Sequence, residues 1–158
     1  MRTLLAAAVL AVPTLAPGAD TSTIPAEVER GVAAYNAQQI AYYEEALATD
    51  VVYIAEDGAT FVGKEPVLRL FTRIFGRPQP PKLAVTDVAT GGKGDVAWVR
   101  FNWTLTTGTE SRHGVSSILF SRAGDAWQVL QIQNTPAGHA KPAGSPSPGA
   151  SPPAPPKH

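Results

Sequence analysis

Along residues 96–106, Ala97, Val99, Phe101, Trp103 and Leu105 alternate with Trp98, Arg100, Asn102, Thr104 and Thr106. Successive side chains of a strand point to opposite faces, so this run predicts a strand with one apolar and one mostly polar face. Residues 115–122 and 127–134 are similarly rich in β-branched and aromatic types, and the turn Arg122-Ala-Gly-Asp125 joins them. Glycines in Gly91-Gly-Lys-Gly94 and Gly124-Asp125 supply the positive φ that hairpin turns require. Residues 82–135 therefore read as an antiparallel meander with one face to be covered.

The upstream half reads as the cover. Thr23, Pro25 and Glu27 make a helix start, and Val28, Val32 and Tyr35 share one face of that helix. The period breaks at Asn36-Ala-Gln-Gln39 and restarts with Ile40, Tyr43 and Leu47 in a second helix that Asp50 ends. A short strand over 51–54, the turn Glu56-Asp57-Gly58 and a returning strand over 60–62 follow. Gly63-Lys-Glu65-Pro66 opens a third helix with the stripe Val67, Leu70, Phe71, Ile74 and Phe75, closed by Gly76. The prediction is an α+β domain: a curved antiparallel sheet with three N-terminal-half helices on its concave face. Phe101, Trp103, Leu105, Leu119, Trp127, Val129, Phe71 and Phe75 are expected to form one contiguous core.

Composition adds the boundaries. Met-Arg-Thr-Leu-Leu-Ala-Ala-Ala-Val-Leu-Ala-Val is a basic start followed by a short apolar run, so residues 1–19 read as an export signal. From residue 137 the chain carries seven prolines in 22 positions, a disordered spacer composition that builds no core. One domain over 20–136 remains, periplasmic or secreted, with no membrane association after signal cleavage. Thirteen basic and thirteen acidic residues give zero formal net charge, which argues against nucleic acid as a partner. The absence of cysteine excludes disulfides, acyl-cysteine anchors and thiolate metal sites.

Five segments carry a family likeness: Tyr35-Asn-Ala-Gln-Gln-Ile40, Ala48-Thr-Asp-Val-Val52, Asp57-Gly58, Gly63-Lys-Glu-Pro-Val67 and Asp125-Ala-Trp-Gln-Val129. In this order and spacing the chain resembles the nuclear-transport-factor-2-like superfamily, in its SnoaL-like and ketosteroid-isomerase-like branch. The resemblance spans about residues 26–135. It implies a cone whose helices cap a deep apolar pocket, and a homodimer through the outer sheet face. Trp98, stranded among polar residues on that face, points to the same homodimer. Members include isomerases, dehydratases and cyclases as well as binding domains, so fold alone does not assign chemistry.

The resemblance also says where chemistry would sit. The tyrosine and aspartate of the ketosteroid-isomerase-like pattern fall on Gly31 and Ala55, so neither the oxyanion donor nor the proton carrier carries over. Glu56 and Asp57 adjoin that position but read as solvated turn acids. On the last strand, Trp127, Val129, Gln131 and Gln133 share a face by alternation, which would aim both glutamines at the pocket. Tyr35, Tyr53, Trp103, Gln131 and Gln133 are thus the expected ligand-binding residues, with no catalytic residue among them. His113 is the one histidine inside the domain and reads as exposed, and neither a metal nor a cofactor is implied. The expected function is binding of a small apolar or amphipathic molecule. The alternative is a SnoaL-like enzyme of isomerase, dehydratase or cyclase type on a small hydrophobic substrate, with Tyr35, Tyr53, Gln131 or His113 in supporting roles.

Overall fold

A computed structural model of the chain describes residues 21–138. The expected export signal and the proline-rich tail beyond Gly138 lie outside these residues. A short 3-10 turn, Thr21–Thr23, leads into helix α1, Ile24–Asn36. The Thr23 side chain makes no capping bond, so the start rests on Pro25 in the first turn and Glu27 near the positive helix end. Helix α2, Ile40–Ala46, stops one residue short of Leu47, which enters strand β1, Leu47–Ile54. The expectation that Leu47 is helical and that the strand begins at residue 51 is corrected by pairing: Leu47 lies opposite Val129 of the last strand. Local helical spacing yields there to a sheet hydrogen-bond partner.

The turn over Glu56-Asp57-Gly58 forms as read, with Ala55 N–H donating to the Ala59 carbonyl at 2.8 Å. Strand β2, Thr60–Val62, and helix α3, Lys64–Phe75, follow. Helix α3 buries Val67, Leu68, Phe71 and Phe75. The meander is β3, Lys82–Lys93; β4, Val96–Thr107; β5, Glu110–Ala123; and β6, Ala126–Pro136.

The six strands form one open sheet in the order β2-β1-β6-β5-β4-β3. Every pairing is antiparallel except β1–β6, which is parallel, so the sheet is mixed. The free edge of β6 needs hydrogen-bond partners, and β1 supplies them running in the same direction. On β4 the alternation is as read: Ala97, Val99, Phe101 and Trp103 are buried, while Trp98 on the opposite face is 46% exposed.

The core departs from the single cluster expected. Ile24, Val28, Phe101, Trp103, Phe120 and Trp127 pack together at one end. Tyr43, Leu47, Val51, Val67, Phe71 and Phe75 pack together at the other, and Val129 touches both groups. Leu119 is not a core residue. It pairs with Trp98 on the outer face, and its neighbour Phe120 takes the inward position. A cavity lies where one contiguous core was expected.

Candidate functional site

The cavity has a volume of about 450 Å³ and is bounded by all three helices and the inner sheet face. Helix α1 contributes Val28, Gly31, Val32 and Tyr35, spaced so that one helical face looks inward. Gly31 and Ala55 both line the cavity and neither brings a functional group.

Aromatic rings form one wall around Phe71. Tyr43 lies 4.6 Å from it between centroids and Tyr53 lies 5.6 Å away, both edge-on. Tyr35 packs edge-on against Phe75 at 5.3 Å. These are the favourable quadrupolar arrangements for ring pairs. Two phenols are committed to the scaffold: Tyr43 donates to the Gly31 carbonyl at 2.9 Å, and Tyr42 to the Glu27 carbonyl at 3.3 Å.

Burial raises the pKa of every tyrosine here, because a phenolate loses more solvation than a phenol. Tyr35 is pushed up to about 12 by desolvation, with Arg77 and Arg112 pulling the other way. Tyr53 is also pushed up to about 12 by desolvation and then by Tyr35, while the Asn134 side chain opposes the shift. At neutral pH both are therefore hydrogen-bond donors, not proton shuttles.

Beside Tyr53 the sheet supplies a polar pair. Ser116 Oγ donates to Asn134 Oδ1 at 2.5 Å, and Asn134 Nδ2 donates to the Ile54 carbonyl at 3.2 Å. The rim is ionic. Arg112 is ion-paired with Glu56 across 56 residues of chain, and Asp57 Oδ1 accepts the Ala59 N–H at 3.0 Å. Arg77, just beyond α3, is exposed and also lines the cavity.

Of the residues expected to line the site, Tyr35, Tyr53 and Trp103 do, and Gln131 and Gln133 do not. A β-bulge is the reason. Phe120 pairs with Val129 and Leu119 with Gln131, leaving Leu130 as an extra residue on β6. Beyond it the faces exchange, so Ile132 and Asn134 point inward and the glutamines share the outer face with Leu119 and Ser117. Asn134 and Ser116 are thus the polar groups that alternation missed. The doubled apolar pair Val129-Leu130, where apolar positions pass from odd to even, is the signal that marks the slip. Glu56 and Asp57 line the cavity rim as well as forming the turn, and His113 is exposed away from the cavity.

Several solved structures share this architecture. An NTF2-like protein of unknown function from Pseudomonas putida KT2440 is 20% identical with a TM-score of 0.67, covering 72% of this chain and 84% of that one. A protein from Streptomyces avermitilis, provisionally named a dehydratase of the NTF2-like family, is 16% identical with a TM-score of 0.69, covering 75% and 97%. An uncharacterized protein with a cystatin-like fold from Caulobacter vibrioides is 15% identical with a TM-score of 0.66, covering 75% and 90%. No curated protein matches the chain significantly. The fold is thus the one these NTF2-like neighbours share, and the family described as SnoaL-like domain matches residues 24–137, so the chain belongs to the SnoaL-like family.

Proposed function

We propose that this protein binds a small apolar or amphipathic molecule in the α/β cavity and holds it without proton transfer. The observation that carries this reading is the chemistry of the cavity wall. It is aromatic and aliphatic, and its inner polar groups are phenols raised to about 12, an amide and a hydroxyl. Such groups orient a ligand by hydrogen bonds while apolar area supplies the affinity. A volume of about 450 Å³ falls in the size range of small-ligand sites, roughly 300–1,000 Å³. Mass spectrometry of the organic extract of purified protein tests this. A stoichiometric small molecule that is lost when Phe71→Trp fills the cavity supports it, and an extract free of any such molecule, with no uptake of added hydrophobic probes, defeats it.

A second reading is favoured by the position of Glu56 and Asp57 on the cavity rim, which puts carboxylates within the site. On that reading the chain is an enzyme of isomerase, dehydratase or cyclase type, as the name given to the Streptomyces avermitilis neighbour suggests for that protein. Glu56 is occupied by Arg112, which favours simple binding. Turnover of an enone, epoxide or hydroxy ketone with a bell-shaped pH profile, abolished by Asp57→Asn, would establish the enzyme.

The setting in this reading is outside the cytoplasm, supported by the basic start and apolar run of residues 1–19. Recovery of a chain lacking those residues from the periplasm or medium tests it. The same reading puts a second copy of the chain against the outer sheet face, supported by Trp98 and Val96, exposed large apolar residues there.

A further inference from the structure

We propose that the rim bearing Arg77, Arg112 and Tyr35 is a head-group site for a carboxylate, so that the cavity takes an amphipathic carboxylic acid tail-first. This rests on the reading that the cavity binds a small molecule, and it names the class.

The cavity is chemically two-ended. Its interior between the two core clusters is aromatic and aliphatic, suited to a hydrocarbon or ring system. The two arginines that line it, Arg77 and Arg112, both stand near Tyr35. The Tyr35 hydroxyl sits within the electrostatic reach of both Arg77 and Arg112, although its ring belongs to the aromatic wall with Phe71 and Phe75. Tyr35 thus marks the junction between the apolar body and the cationic mouth.

Carboxylates are present on the same rim, and their engagements decide the sign of the site. Glu56 accepts from Arg112, and Asp57 is turned to the Ala59 N–H of its own loop. Glu27, on the opposite helix, is paired with Arg30. Arg77 makes no ion pair and no side-chain hydrogen bond with the described residues, although it stands exposed at the cavity edge. Its backbone N–H is the part that closes α3, donating to Ile74 at 3.3 Å. The guanidinium is therefore not needed to end the helix.

Arg112 has donors to spare, because a guanidinium carries five N–H groups and a carboxylate partner takes at most two. Its pairing with Glu56 holds it in place for a second acceptor. An incoming carboxylate can take the planar fork of Arg77 and a free edge of Arg112, with the Tyr35 hydroxyl as a third donor. Neutral Tyr35 is the right state for that role, since a phenolate would repel the head group. An ammonium head would meet two guanidinium charges and compete with Arg112 for Glu56.

The test is displacement of a neutral fluorescent probe, N-phenyl-1-naphthylamine, from the purified chain by decanoate, 1-decanol and decylammonium. Decanoate should displace it at concentrations at least about tenfold below those of decanol, with decylammonium weakest. The preference should shrink as salt is raised, because the rim is exposed and screened. Arg77→Gln should bring decanoate to the level of decanol. Arg69→Gln removes the same charge from α3 at a position that does not line the cavity, and should leave the preference intact. Equal displacement by decanoate and decanol, a preference for decylammonium, or equal losses in both arginine variants would overturn the carboxylate assignment while leaving the cavity a binding site. A chain that takes up no probe at all would overturn the binding reading itself.

Discussion

Trp103 lies across Gly114, its cross-strand partner, with no space between the indole and the glycine backbone. A Cβ on Gly114 would stand 2.5 Å from Trp103 Cζ2 and 2.7 Å from Cε2, well inside any real contact. Trp103 is 5% exposed and lines the cavity, so Gly114 is what allows a large ring to lie flat against the sheet there. Gly114→Ala should therefore destabilise by overpacking, about 1–3 kcal/mol in a urea titration. Trp103→Ala should cost about 3–5 kcal/mol as its buried volume empties into the cavity. A Cβ there would also meet the Thr135 carbonyl oxygen of β6, so an alanine at 114 that leaves the midpoint unmoved would show that both the indole and the β6 backbone give way.

Phe71 is the hub of the aromatic wall, in edge contact with Tyr35, Tyr43 and Tyr53 and tilted against Phe75. Phe71→Ala should cost about 3–5 kcal/mol by denaturant melting and should weaken binding of any apolar probe. A melt within about 1 kcal/mol of the parent would mean that the neighbouring rings close over the gap.

The bulge at Leu130 makes a paired prediction. Asn134→Leu leaves Ser116 Oγ and the Ile54 carbonyl without their partner and should destabilise by about 1–3 kcal/mol while changing probe affinity in the cavity. Gln131→Leu, on the outer face, should leave cavity affinity within about twofold. If Gln131→Leu altered probe binding and Asn134→Leu did not, the face assignment of β6 would be reversed.

All four tyrosines have raised pKa values, so the folded state favours the protonated phenols. Their contribution is fully present below the unfolded value near 10 and is lost as pH rises through the folded values, about 12 for Tyr35 and Tyr53. Stability should accordingly fall between about pH 10 and pH 12, and phenolate absorbance of the native chain should rise later than that of the urea-unfolded chain. Coincident titration curves would show that water reaches these hydroxyls freely.

Trp98→Glu tests the second copy on the outer face. Sedimentation should give a dimer for the parent chain at micromolar concentration and a monomer for the variant, since a charge in the centre of an apolar contact is costly to desolvate. A parent chain that sediments as a monomer would leave Trp98 as no more than a cover for Gly91, over which its indole already lies.

Sequence alone determined the elements whose signals are local. The alternation of β4, the β2 return after Asp57-Gly58 and the apolar stripe of α3 are each set by spacing within one element; the first two are present as read, and α3 buries Val67, Phe71 and Phe75 of its expected stripe together with Leu68, while Leu70 and Ile74 are half-buried. The family likeness was legible because it, too, rests on short segments in order. Tertiary structure decided where those signals run out. Periodicity assigns a face only while the register is unbroken, and the unpaired Leu130 exchanges the faces of β6, turning Gln131 and Gln133 outward and Asn134 inward. The parallel β1–β6 pairing draws Leu47 out of its helix, and the Glu56–Arg112 ion pair ties the β1–β2 turn to the start of β5 at the cavity rim. The split of the expected core into two clusters belongs here as well: a stripe of apolar side chains shows which face is buried, but whether the opposing stripes meet or enclose a cavity depends on how far apart the helices hold them.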